Sequence, residues 1–360
     1  MENYQNPNSQ SNGQAQPFVP YGTSFPQGSN GISTTDENFL KQQEKENDKK
    51  TLKKMGKSFG IAIILYVVLS FAISFLVMAV SQVVPAVGLL YENEYATLAY
   101  SVVGSVLYIA IPFALVYFSL KKKQFTGILP FGTPYNTKAA IYLTMLTAPL
   151  MIVSSMIVNA ISLIIQSLLG IEFTSGLEDL SMTGIGGFII GSISMAIVPA
   201  IIEEFAIRGV VLQPLRRYGD GFAIVTSALI FSIMHGNMAQ IPYTVVGGIY
   251  LGYLAVATGS IWPSIIVHCI NNMYSVVVMS VDSNFGESAS GVAAMMLLGG
   301  LIVVGIIGAI KFFSMNYKTN LEKGIKTLKT TEKSLVLFTN VPMIIAIILM
   351  LIITYTSIEK

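Results

Sequence analysis

Residues 186–213 read GGFIIGSISMAIVPAIIEEFAIRGVVLQ, an apolar run that carries Glu203, Glu204 and Arg208 in its second half. About 20 apolar residues suffice to cross the hydrocarbon core of a bilayer, so the run reads as a transmembrane helix in spite of its charges. An ionisable side chain at bilayer depth costs about 2.5–3.5 kcal/mol even on the most lenient scale, which makes it a functional-site hypothesis by default. Glu203 and Glu204 are the only acidic residues inside any apolar span of the chain. Its only two histidines, His235 and His268, also lie in charge-free apolar stretches.

The composition around this run is that of a polytopic membrane protein. Hydrophobic residues make up 53% of the 360 positions and charged residues 11%, against roughly 25% charged in soluble domains. Mean hydropathy is +0.65. A net charge of +2 does not suggest a nucleic-acid partner, and the single Cys269 excludes an intramolecular disulfide. The first apolar run begins near residue 58, behind a long polar segment, a layout that fits no ordinary cleavable signal peptide.

The predicted architecture is all-α, with about nine spans near 60–82, 98–120, 139–169, 186–213, 222–240, 242–258, 261–280, 291–313 and 335–356. Pro85, Gly170, Gly219, Pro242, Gly259 and Pro263 punctuate them. Residues 1–36 are rich in Gln, Asn, Ser, Gly and Pro and cannot bury enough apolar surface to fold, so disorder is expected there. Residues 41–57 carry seven lysines mixed with acids and read as a helical lead-in ending at the membrane surface. The short sixth span, with Gly247, Gly248 and Gly252, is expected to pack closely against its neighbours.

Lysine and arginine favour cytoplasmic loops. Under nine alternating spans the tail, Lys121–Lys123 with Lys138, Arg216 with Arg217, and Lys311 to Lys333 share one side. The opposite loops hold Glu92, Glu94, Glu172, Glu178, Asp179, Asp282 and Glu287, with no basic residue before Lys360. A multi-pass cell-membrane protein with its N-terminus in the cytoplasm and its C-terminus outside is expected.

Adjacent glutamates on a helix point about 100° apart and cannot do the same job. Arg208 follows Glu204 by four positions, the order and spacing of an intrahelical ion pair, which leaves Glu203 to face another direction. A carboxylate without a cationic partner in a low-dielectric pocket gains proton affinity, as a general base for water requires. His235 follows Phe231 by four, and Asn272 follows His268 by four, so each pair shares a helix face. Asn272 and one histidine can donate to an oxyanion while a glutamate and the other histidine polarise water. Together they meet the demands of water attack on an amide.

Glu203, Glu204 and Arg208 in E-E-F-A-I-R, Phe231 and His235 in F-S-I-M-H, and His268 and Asn272 in H-C-I-N-N form an ordered trio of motifs, EExxxR, FxxxH and HxxxN. In this order the chain resembles the CPBP family of CAAX-prenyl proteases, intramembrane glutamic endopeptidases and bacteriocin-processing or immunity proteins. The resemblance covers about residues 184–280. It implies that Glu203 activates water with His268 assisting, that His235 and Asn272 surround the oxyanion, that Glu204 and Arg208 support them, and that Phe231 packs beside His235. With the composition and the apolar spans, the expected layout is a disordered, charged cytoplasmic tail (1–57), two N-terminal transmembrane helices (58–138), a catalytic core resembling that family (139–280) and two C-terminal helices (281–360). The expected partners are a peptide or membrane-protein substrate and the bilayer, and the site is expected to open from the cytoplasmic side.

Other hydrolytic schemes fit less well. Zinc is a minority expectation and no cofactor is the main one: there is no H-E-x-x-H, and two histidines would have to serve both ligation and catalysis. G-S-I-S at Gly191–Ser194 does not supply the G-x-S-G of a rhomboid-like serine protease. Asp220, the only aspartate near a central span, sits at a loop, where an intramembrane aspartyl protease needs two within the membrane. A non-enzymatic immunity or partner-binding protein of the same fold is the alternative from another class. A proton-coupled transporter ranks third, without an internal repeat to support it.

Overall fold

The computed structural model describes residues 34–84, 87–88, 93–126, 129–174 and 181–359, and its regular structure is helical apart from one two-residue strand pair. The disordered tail expected up to residue 36 lies outside the described residues as far as residue 33, as do Pro85, Glu92, Glu178, Asp179 and Lys360. Helix α1 spans Thr34–Val83. Helix α2 runs through Glu94–Gly104, a π-helical segment Ser105–Ala110, and Ile111–Lys122. Helix α3 spans Thr137–Leu169 and ends on Gly170 in the left-handed region at φ 64°. Helix α4 is built from Gly184–Gly191, a π segment Ser192–Ile197, Val198–Glu204, a second π segment Phe205–Leu212, then Gln213–Leu215 and the 3₁₀ turn Arg216–Tyr218. Then come α5 (Asp220–Ile233), α6 (Ile241–Thr258), α7 (Trp262–Phe285), α8 (Glu287–Ser314), α9 (Thr330–Phe338) and α10 (Val341–Tyr355). Strand β1 (Glu172–Phe173) pairs antiparallel with β2 (Ile358–Glu359).

All nine apolar stretches are helical, so the chain is a multi-pass membrane protein, but they are not equally long. Among the described residues seven helices are long and apolar enough to cross a membrane, or up to eight if α9 and α10 count as one broken span. The span expected over 222–240 stops at Ile233 because Gly236 turns the chain at φ 64° and the Asn237 side chain accepts from Gln240 N. At 14 residues, α5 is about 21 Å long, short of the roughly 30 Å core. His235 therefore sits in the turn after α5, not within a span. The stretch 335–356 is bent by 77° between α9 and α10, where Asn340 caps the new helix and Pro342 occupies its first turn.

The charged lead-in is helical, as expected, and it is docked. Leu52, Met55 and Phe59 of α1 are fully buried in the main apolar cluster with Leu337, Met343 and Ala346. Gly56 and Gly60 permit the approach: a Cβ at Gly60 would stand 2.5 Å from Met343 N. Asp48 accepts from Arg217 at 2.8 Å and from Thr327 at 2.6 Å, Tyr218 donates to its carbonyl, and Lys45 pairs with Glu332. The lead-in, the end of α4 and the segment before α9 thus meet at one end of the bundle. At the other end Thr174 N donates to Ser357 O and Met238 N to Ser357 Oγ, beside the β1–β2 pair.

Replacing Gly60 by leucine forces α1 off the α10 backbone, an overpacking that costs about 1–3 kcal/mol or more. Size-exclusion chromatography in detergent is expected to show Gly60→Leu losing most of its monodisperse peak. Gly299→Leu, where nothing lies within 4 Å of the added carbon, retains it. Equal behaviour of the two variants would contradict this packing.

Candidate active site

The site is assembled from α4, the turn after α5, and α7, and α4 supplies its anchor. Two π-helical segments flank Glu203 and Glu204. Such bulges frequently mark functional positions because they redirect side chains and free backbone groups. Pro199 has no N–H to offer the Met195 carbonyl, and Asn272 Nδ2 of α7 donates to that carbonyl at 3.2 Å. Asn271 Nδ2 donates in turn to Asn272 Oδ1 at 3.2 Å, so the amide of Asn272 is held in one orientation.

Glu204 and Arg208 form the ion pair their spacing predicts, Nη1 to Oε1 at 2.9 Å, with both side chains 0% exposed. Arg208 Nη2 also donates to Gly248 O of α6 at 3.1 Å. Gly248 faces Ala228 so tightly that a Cβ there would stand 2.9 Å from the alanine side chain. Gly247 and Gly252 likewise face Met151 and Ile224, as expected of the close-packed sixth span.

The same Glu204 oxygen accepts from His268 Nδ1 at 3.0 Å. A carboxylate only accepts, so His268 Nδ1 carries a proton, and in the neutral imidazole Nε2 presents a lone pair. That Nε2 lies 3.7 Å from Glu203 Oε2, too far for a hydrogen bond and close enough to share a proton through one intervening water. Glu203 is 21% exposed and lines the cavity, whereas Glu204 lies behind His268. The two adjacent carboxylates therefore occupy different environments.

His235 Nδ1 stands 3.0 Å from Phe231 O. A carbonyl only accepts, so Nδ1 carries a proton, and His235 can donate through Nε2 only as the imidazolium. The Phe231 ring packs edge-on against His235 at 4.7 Å and His268 at 5.9 Å, and the Arg208 guanidinium lies 4.8 Å from its centroid. Phe231 thus fills the space between three charged or chargeable groups.

Glu203, His235, His268 and Asn272 all line one cavity of about 380 Å³. Glu204 and Arg208 do not line it and support it from behind. The remaining lining includes Ser155, Asn159, Gln240, Tyr243 and Asn271, none of which the sequence had singled out. No short spacing links them to the motifs, although Asn271 adjoins one. Asn159 lies in the second half of α3 and Gln240 caps α6. The cavity therefore extends from Glu203 toward the β1–β2 end and away from the basic end. The expected opening is toward the Lys- and Arg-rich side, whereas these lining residues lie toward the β1–β2 end. Among the described residues, no group of three His, Cys, Asp or Glu side chains is arranged to hold a metal ion.

A family model described as type II CAAX prenyl endopeptidase Rce1-like matches residues 185–274, about a quarter of the chain. No curated protein and no solved structure matches it. The match spans α4 to α7 and takes in every motif residue from Glu203 to Asn272. The chain is thus a multi-pass membrane protein whose residues 185–274 are similar to the Rce1-like type II CAAX prenyl endopeptidases.

Proposed function

We propose that the chain is an intramembrane glutamic endopeptidase that cuts a membrane-associated peptide or protein segment by direct water attack. The observation that carries this reading is the hydrogen-bonded series Arg208–Glu204–His268, ending 3.7 Å from Glu203 on a cavity wall shared with His235 and Asn272. Glu203 takes a proton from water while His268 Nε2 orients it, and the hydroxyl oxygen attacks the peptide carbonyl carbon. The carbonyl oxygen becomes an oxyanion held by Asn272 Nδ2, with His235 beside it on the cavity wall. The C–N bond then breaks as Glu203 returns its proton to the leaving nitrogen, so no covalent acyl-enzyme forms. Residues 139–280 make up the catalytic unit in this reading.

In this reading the N-terminus lies in the cytoplasm, which the basic end joining Lys45, Arg217 and the segment before α9 supports. With that orientation the cavity faces the outer half of the membrane. Peptides presented there, such as processed pheromones, bacteriocin precursors or membrane-protein tails, are the substrate class that fits.

Glu203→Gln is expected to lower turnover by at least about 10²-fold, the usual contribution of a general base, without loss of folded protein. Mass spectrometry of membrane-associated peptides from cells carrying either form would show it. Persisting cleavage in the variant contradicts the assignment, and an unchanged cellular phenotype with no difference in peptides favours a binding or immunity role. Glu204→Gln leaves Arg208 uncompensated at depth, a loss of about 3–5 kcal/mol. Its yield of folded protein is expected to fall, and the double variant Glu204→Gln/Arg208→Met is expected to recover yield without recovering turnover. Recovery of both would show that the pair is only structural.

In the proposed scheme Glu203 and His268 activate water without a metal ion, and among the described residues no three His, Cys, Asp or Glu side chains are placed to hold one. Activity is therefore expected to survive strong chelators. Loss on chelation with recovery on added zinc would replace the glutamate scheme with a metal-dependent one.

A further inference from the structure

Glu203 stands between two cavities. Besides the polar one described above, a smaller cavity of about 160 Å³ lies on the side of α1 and α2, walled by Tyr66, Ile109, Ala206, Ile207 and Met234. Glu203, Phe231 and His235 line both. Apart from those shared groups, the only side-chain polar atom of the small cavity is the Tyr66 hydroxyl. The Tyr66 ring is braced edge-on by Tyr108, centroids 5.7 Å apart. Two walls, Tyr66 and Ile109, come from helices outside the matched residues 185–274.

The contrast between the cavities suits two parts of one peptide. The larger has amides and hydroxyls from Ser155, Asn159, Gln240 and Asn271, which can pair with an extended main chain. The smaller, beside the same carboxylate, has the apolar side chains of Ile109, Ala206, Ile207, Phe231 and Met234 for most of its walls. An engineered apolar cavity of about 150 Å³ in another protein admits benzene, so this one has room for a single leucine, methionine or phenylalanine side chain. A polyisoprenoid chain is far larger and does not fit.

Resting on the endopeptidase reading, we propose that the small cavity is the subsite for an apolar side chain next to the scissile bond, with Tyr66 and Ile109 setting the size it accepts. Binding there places the neighbouring carbonyl against Glu203 and His235. Selectivity arises from α1 and α2, and the chemistry from α4, the turn after α5, and α7. One methylene too many or too few in such a pocket changes kcat/KM by about 10- to 200-fold.

The test uses the full chain in lipid vesicles with a mixture of apolar peptides, digested from a membrane proteome, as the probe, and reads the cut sites by mass spectrometry. Wild-type protein is expected to cut with Leu, Ile, Met or Phe on one side of the bond. Ile109→Trp, which fills the cavity, is expected to shift that position toward Gly and Ala and to lower cutting at bulky residues by at least about 10-fold. Tyr66→Ala, which removes a wall, is expected to admit Trp, and it serves alone if the Ile109→Trp variant fails to elute as a folded peak. A wild-type profile without apolar preference, or an unchanged profile in a folded variant, overturns the subsite while Glu203-dependent cutting leaves the endopeptidase reading standing. No Glu203-dependent cut at all overturns both.

Discussion

A charge placed inside a bilayer must be answered there, and in this chain the answer is the fully buried contact of Glu204 with Arg208 and His268. A buried ion pair is weak as a source of stability, because desolvating two ions offsets much of their attraction. Its value lies in uniqueness. Glu204 Oε1 can meet Arg208 and His268 together only when α4 and α7 adopt one rotation and one depth, and Arg208 Nη2 fixes α6 through Gly248 O. Three helices are thus registered by one buried ion pair and its partners. The same contact fixes the His268 tautomer and leaves Nε2 facing Glu203.

The local sequence of α4 makes this geometry available. The π segments on either side of Val198–Glu204 and the missing N–H of Pro199 set the backbone so that Met195 O takes a side-chain partner from α7. The glycines of α6 let it approach closely enough for a backbone carbonyl to reach a guanidinium. On the far side, α1 packs on the end of α9 through Gly56 and on α10 through Gly60, and Tyr66 reaches Glu203's second cavity. The N-terminal and C-terminal helices therefore do more than surround the matched domain: they close the bundle and shape one wall of its cleft.

Local spacing made much of this legible. The i, i+4 relations of Glu204 with Arg208, of Phe231 with His235 and of His268 with Asn272 all describe true neighbours, because helical periodicity acts within a few residues. Apolar length located the spans, and the basic segments that the charge bias grouped together do meet at one end. What escaped was tertiary or rested on turn chemistry. Glu204 and His268 are 64 positions apart, so no spacing announced that one carboxylate serves both Arg208 and His268. Gly236 sits in an otherwise apolar stretch, and its left-handed turn ended α5 early. The direction of the cavity depends on which halves of α3, α6 and α7 splay apart, information carried by packing and not by any motif.

Because the chain has only two histidines, four ring nitrogens report the central interaction. Solid-state NMR of protein labelled with ¹⁵N-histidine, in lipid vesicles and assigned with a His235→Asn variant, reads their protonation directly. His268 is expected to be protonated at Nδ1 and bare at Nε2, and to lose this pattern in Glu204→Gln. A His268 protonated at Nε2 and bare at Nδ1, or one indifferent to Glu204, would contradict the central role of that carboxylate.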